Sequence, residues 1–240
     1  MTAMALCDRQ RDNTGRDNTG RTGAQMYQPP HFREDDLTAQ HALIRAFPLG
    51  LLITAGTDGP VANLVPFQLV AVDPGKGMLR CHLARANGQL RELAEGGPAL
   101  VVFQGPDAYV TPSWYETKRE TGKVVPTWNY ATVQVRGVAR VVDDAEWLLG
   151  HVGALTDGHE MEREEPWAVG DAPEAYIKAQ LKGIVGVEIA VTGIEGKWKV
   201  SQNRSAADID GVANGLAESA GRPGSAGMAD MVRRYAPAAK

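Results

Sequence analysis

Along several stretches of this chain apolar and polar residues alternate with the two-residue period of a strand, and tight-turn sequences punctuate them. Val133, Val135, Ala139 and Val141 alternate with Thr132, Gln134, Arg136 and Arg140, the pattern of a half-buried strand with a bulge at Gly137. Val185, Val187, Ile189 and Val191 keep the same rhythm later in the chain. Gly50 to Ala55, Val61 to Val72, Met78 to Ala84, Ala99 to Phe103 and Ala108 to Thr111 read as further strands. Turns fall at Thr57-Asp58-Gly59-Pro60, at Asp73-Pro74-Gly75-Lys76-Gly77 and at Gly105-Pro106-Asp107. Short links of this kind join antiparallel neighbours into a meander. So many antiparallel strands must hide their edges, which predicts a closed or nearly closed barrel with peripheral helices, a mainly β fold of the α+β class.

Asp36 is placed to cap a helix that runs to about Phe47, where Pro48 stops it; Gln89 to Glu95, Asp144 to Thr156 and Pro173 to Leu181 read as further helices, and Lys197 to Val200 as strand. Residues 1–25 contain the duplicated pentapeptide Arg11-Asp12-Asn13-Thr14-Gly15 and Arg16-Asp17-Asn18-Thr19-Gly20, too polar to pack, so disorder is expected there, with Met26 as the natural start. The folded domain is expected over 26–216. Residues 217–240, rich in Ala, Gly and Ser, are expected to form a flexible tail that carries at most a short helix at Met228 to Tyr235.

A formal net charge of −4 argues against broad attraction to nucleic acid or anionic lipid. No apolar run approaches the roughly 20 residues of a membrane span, and Met1 to Gln25 lacks the apolar centre of a signal peptide, so a cytoplasmic location is expected. Cys7 and Cys81 form no disulfide framework, and Cys81 reads as a small core residue.

Aromatic residues make up only 6% of the chain, yet Pro112-Ser113-Trp114-Tyr115 and Pro126-Thr127-Trp128-Asn129-Tyr130 bracket one charged loop. Flat rings beside hydroxyls and amides suit a planar heteroaromatic ligand; a buried aromatic corner explains the same residues. At Cys81 to Arg91 a strand gives way to a helix, where unpaired backbone N–H groups and Arg85 make an anion pocket, unless Asn87 only caps the helix and Arg85 is a solvated charge. Alternation in Glu195 to Arg204 puts Lys197, Lys199 and Ser201 on one face and Trp198 and Val200 on the other, which describes either a ligand face or a lysine-protected edge. No standard metal, nucleotide or triad motif is present.

A basic strand-to-helix junction after a meander resembles the flavin-binding split barrels related to pyridoxamine phosphate oxidase. Six blocks in order, Met26 to Asp36, Cys81 to Gln89, Val101 to Tyr115, Val125 to Gly137, Leu181 to Ile189 and Ile194 to Arg204, look like the PaiB family, known as FMN-binding negative transcriptional regulators. The resemblance covers about Met26 to Leu216 and implies an FMN-binding split β-barrel. It further implies that Arg85, Asn87, the Ala84 backbone and Gln89 serve the FMN phosphate, and that Asn63, Leu64 and Val65 offer backbone groups to the ring edge. Leu64 stands where many members have histidine. Trp128 and Asn129 would border the ring, with contributions from Lys197, Ser201, Gln202 and Asn203. Two such sites would be shared across a twofold homodimer.

Three activities fit this resemblance. The first is a flavoprotein with an FMN-dependent redox reaction on an unidentified small molecule. The second is haem chemistry like that of the piperazate synthases, with His82 as the iron ligand. The third is transcriptional regulation; direct DNA contact is doubtful, because Asp208 and Asp210 in the candidate helix Ser205 to Leu216 would repel phosphate.

Overall fold

The alternating segments come together as one antiparallel sheet in a computed structural model of the chain, which describes residues 25–56, 59–72, 75–219 and 221–237. The duplicated pentapeptide, Cys7 and parts of two expected turns, Thr57-Asp58 and Asp73-Pro74, lie outside the described residues. The strands are β1 (Arg33–Glu34), β2 (Leu49–Gly56), β3 (Gly59–Pro66), β4 (Gln68–Val70), β5 (Met78–Ala84), β6 (Pro98–Val110), β7 (Thr127–Val142) and β8 (Ile184–Lys199). Their order is β3-β2-β6-β7-β8-β5-β4, with β1 paired to β8. The sheet curls until β3 lies near β5, as in a split barrel. Around it pack α1 (Leu37–Ala46), α2 (Gln89–Ala94), α3 (Glu116–Thr121), α4 (Ala145–Glu160), α5 (Glu174–Leu181), α6 (Ala206–Glu218) and α7 (Ser225–Arg234).

Alternation fills the barrel. Leu79, Cys81 and Leu83 of β5, Val101 and Phe103 of β6, Val133 and Val135 of β7, and Val187 and Ile189 of β8 are buried in one cluster. At Gly137 the β7–β8 register shifts as the sequence pattern predicts, and a methyl group there would lie 2.3 Å from the Ala190 carbonyl oxygen. Asp36 caps α1 by accepting from the Thr38 amide. Burial pushes the Cys81 thiol up to about 12, consistent with an inert core residue.

Two expectations need correction. Val61 to Val72 is not one strand: Pro66 offers no N–H, the Phe67 amide turns to the Pro48 carbonyl at 2.9 Å, and the Phe67 ring packs edge-on against Phe103. The chain there leaves β3 at one margin of the sheet and enters β4 at the other. Nor is the region after Leu216 a flexible tail. α6 continues to Glu218, and α7 buries Met228, Ala229 and Val232, which recur on one helical face amid small residues of low hydrophobicity. Gly224 enters α7 with φ 82° so close to Asp107 that a methyl would meet its carbonyl at 2.5 Å.

Candidate functional site

Residues directly opposite in an antiparallel ladder project from the same face. Gln104, Asp107 and Tyr109 of β6 lie opposite Thr132, Tyr130 and Trp128 of β7, and Thr132 and Tyr130 lie opposite Lys197 and Lys199 of β8. The sheet therefore carries an outer face with three aromatic rings and two lysines. Gln104, Asp107, Trp128, Tyr130 and Thr132 line an open cavity of about 290 Å³. Trp128 is half exposed at 50%, its indole N–H donates to Asp107 Oδ1 at 2.8 Å, and Tyr109 meets it edge-on. Both lysine ammoniums lie over the Tyr130 ring, at 5.4 Å for Lys197 and 6.0 Å for Lys199.

Lys197 is buried, reaches the Tyr27 carbonyl at 2.9 Å and is flanked by the Tyr27 ring as well. Lys199 donates to the Trp128 carbonyl at 2.7 Å and to the Thr127 hydroxyl. Burial, with Lys197 and Arg204 close by, lowers the Lys199 pKa from its ordinary 10.5. Arg204 sits 4.8 Å over the Tyr115 ring. Among the described residues, Lys197, Lys199 and Arg204 form no ion pair with a carboxylate.

Asn129 does not join Trp128 on that face. Strand alternation turns it inward, where it is 1% exposed and donates to Ser201 Oγ at 2.9 Å, so the expectation that it borders a ring is corrected for this protomer. Ser201, the one non-glycine residue with positive φ among those described, at 67°, is itself buried because the chain reverses there, and does not share the lysine face. Gln202 bonds the Val200 amide at 2.8 Å and the Trp198 carbonyl at 2.6 Å, while Asn203 is exposed. These residues hold the turn from β8 into α6. Trp114 is a packing residue: its ring lies so close to α6 that a methyl at Gly215 would be 2.3 Å from it. Tyr115 is buried beside it, its hydroxyl without a hydrogen-bond partner.

The other expected residues gather elsewhere. Asn63 Nδ2 donates to Gln89 Oε1 at 3.0 Å, and Gln89 Nε2 reaches the Leu52 carbonyl at 3.2 Å and the Thr54 hydroxyl at 3.1 Å, tying β2, β3 and α2 together. Asn87 Oδ1 accepts from the Gln89 amide at 3.0 Å, just ahead of α2. Ala84 ends β5 in an exposed position, Val65 is buried, and Leu64 is exposed at 64%. Arg85 is committed within the protein: it grips Asp143 with two bonds of 2.8 and 2.6 Å and donates to the Lys182 and Ile184 carbonyls. That pairing holds the Asp143 carboxyl below its ordinary range. Leu52 pairs with Val101, and Trp128 with Tyr109, so the two groups stand eight β6 residues apart, about 25 Å at a strand's rise. One protomer does not bring them together.

A third cluster was not anticipated. His82 Nδ1 lies 3.2 Å from His151 Nε2 of α4, and the His151 ring stacks on Trp147. Glu188, opposite both Arg80 and Arg140 in the ladders, pairs with both and accepts from the Trp147 indole at 3.2 Å. The helix-to-strand contact could not be read from spacing; the opposed charges on β5, β7 and β8 were the available signal. Among the described residues no group of three or more His, Cys, Asp or Glu is placed to hold a metal.

Residues 26–193 match the family model described as "Putative FMN-binding domain". The chain is 30% identical to the protease synthase and sporulation protein PAI 2 of Bacillus subtilis, covering 76% of this chain and 85% of that one. It belongs to the PaiB family of FMN-binding domains. The uncharacterized protein AN0679 of Emericella nidulans is 36% identical across 87% of this chain and 96% of its own length. Among solved structures, the FAD and haem binding protein from Mycobacterium smegmatis superposes with a TM-score of 0.52 at 20% identity, over 70% of this chain and 73% of that one. The conserved hypothetical protein Rv2991 from Mycobacterium tuberculosis gives 0.52 at 14% identity over 75% and 94%. These likenesses show the flavin-binding split-barrel fold. Among the described residues no helix is long and apolar enough to cross a membrane.

Proposed function

We propose that this PaiB-family chain is a cytoplasmic flavoprotein that holds FMN against the Trp128–Tyr130 face. The observation that carries the reading is an open aromatic cavity beside lysines that form no ion pair among the described residues, in a member of an FMN-binding family. The donor set fits the group: Trp128 and Tyr130 offer ring faces, Gln104 and Thr132 offer hydrogen bonds to a ring edge, and the lysines offer positive charge. FMN supplies the electron or hydride transfer when bound, while the protein positions and tunes it. No side chain of this chain need act as a general acid or base.

A twofold homodimer belongs to this reading. β3 is a terminal strand of the sheet with Val61 and Leu64 exposed, the kind of edge that a second copy covers. Association there would bring Asn63, Leu64 and Val65 of one copy toward the aromatic face of the other, uniting groups that lie about 25 Å apart in one protomer. A regulatory role, if the chain has one, acts without direct DNA contact, in keeping with its net charge of −4. A haem reading would rest on His82, whose Nδ1 is already engaged by His151, leaving Nε2 for a metal.

The absorbance spectrum of the purified protein, followed by titration with FMN, tests the proposal. Flavin bands or saturable FMN binding are expected. Absence of both would overturn the flavin reading, and a Soret band lost in His82→Ala would replace it with the haem one.

A further inference from the structure

Between Gln104 and Asp107 the β6–β7 register slips, because Gly105 and Pro106 of β6 stand against Ala131 alone on β7. The slip decides where side chains point. In a regular ladder Gln104 and Asp107, three residues apart, would project from opposite faces; the extra residue puts both on the outer face with Tyr109 and turns Ala108 and Val110 into the core. The bulge thus delivers a carboxylate to the aromatic cavity. Asp107 Oδ1 accepts from the Trp128 indole N–H at 2.8 Å and Oδ2 from the Gln104 amide at 3.0 Å, so one side chain ties two walls of the cavity together. Among the described residues Asp107 joins no ion pair, so these two bonds are the work of its charge. Trp128, half exposed on a strand, would otherwise be free to leave this rotamer.

The bulge is braced in turn by α7, which lies beyond the matched residues 26–193. Gly224 stands so close to the Asp107 main chain that a methyl would fall 2.5 Å from the carbonyl oxygen, and a methyl on Gly227 would fall 3.1 Å from the Pro106 ring. Met228, Ala229 and Val232 anchor the helix in the core. Glycine is a poor helix former, and the close approach of Pro106 accounts for it at 227.

We infer that Asp107 is the positioning residue of the ligand cavity, fixing the Trp128 ring and the Gln104 amide in the arrangement that receives a planar ring, and that α7 is its brace. The inference rests on the flavin reading for the identity of that ring. It ties a helix outside the matched domain to a wall of the site inside it. Because the contacts concern the ring wall alone, their loss should fall equally on flavins with and without a phosphate.

The first measurement needs no ligand: the indole N–H signals of the full chain in a nitrogen-15 correlation spectrum, with that of Trp128 identified by its loss in Trp128→Phe. Asp107→Ala should shift the Trp128 signal and speed its exchange with solvent about tenfold, the worth of one charge-assisted bond, and Asp107→Asn, which keeps an acceptor oxygen, should restore most of the wild-type behaviour. Gly224→Ala should disturb the same signal from a distance, whereas Gly221→Ala, with open space at its Cβ, should leave it in place. The second measurement is equilibrium titration with FMN and riboflavin: Asp107→Ala should weaken both by a common factor of about 10, and Asp107→Asn by far less. A Trp128 signal unmoved in Asp107→Ala or in folded Gly224→Ala overturns the inference, as does loss of FMN affinity with riboflavin affinity intact. Should Gly224→Ala fail to fold by circular dichroism, Gly227→Ala, which meets only the Pro106 side chain, takes its place. If wild type binds neither flavin, the flavin reading fails by itself, and the indole signals alone decide whether Asp107 and α7 hold the wall.

Discussion

His151 carries a buried Nδ1 without a partner, faces His82 through its other nitrogen, and has Arg80 nearby. Burial first, then the proximity of His82 and Arg80, lowers its pKa from 6.5 to about 4, and burial lowers His82 too. The unfolded chain therefore binds protons near pH 6.5 that the folded chain refuses until about pH 4, so this pair's contribution to stability is present above pH 6.5 and is lost as the pH falls through that window. Urea midpoints should drop between those pH values, and His151→Phe should remove the larger part of the drop relative to wild type. The pair was invisible in the sequence because its members lie 69 residues apart. Arg85 shows the same limit from the other side: its position at a strand end was legible, but its pairing with Asp143, 58 residues on, was not. Asn129 was misjudged for a local reason, since strand alternation alone separates it from Trp128.

Among the elements, α6 explains a puzzle of composition. Gly211 and Gly215 look like defects in a helix, yet a methyl on either would collide with Trp114, at 2.0 Å from its carbonyl oxygen and 2.3 Å from its ring. The glycines make the groove into which the first tryptophan motif packs. Gly215→Ala should thus destabilise the protein by about 1–3 kcal/mol through overpacking, although alanine favours a helix, and thermal or urea melts check the sign. α7 makes a comparable statement: Met228, 0% exposed, should cost about 2–5 kcal/mol when changed to alanine, whereas a flexible tail would register nothing. Strand periods were strong enough to reveal most of the sheet, because β5, β7 and β8 alternate for many residues. α7 stayed hidden because its few apolar residues stand among glycine, alanine and serine, where composition drowns the helical spacing.

At the scale of the whole molecule, the two halves of the expected flavin site lie at different levels of one sheet, and only a second copy can complete it in the proposed dimer. Sedimentation at micromolar concentration should show a dimer, and Leu64→Glu on the exposed edge should yield monomers with weakened FMN affinity. Dimers that persist in Leu64→Glu with full affinity would place the contact elsewhere. The barrel class was legible from the number of antiparallel segments, but the order of strands was not, since the break at Phe67 leaves the hydrophobic pattern of Val61 to Val72 nearly continuous. That break works as a clasp. β3 and β4 hold opposite margins of the sheet and are joined through a single buried phenylalanine, so both margins share one anchoring point in the core.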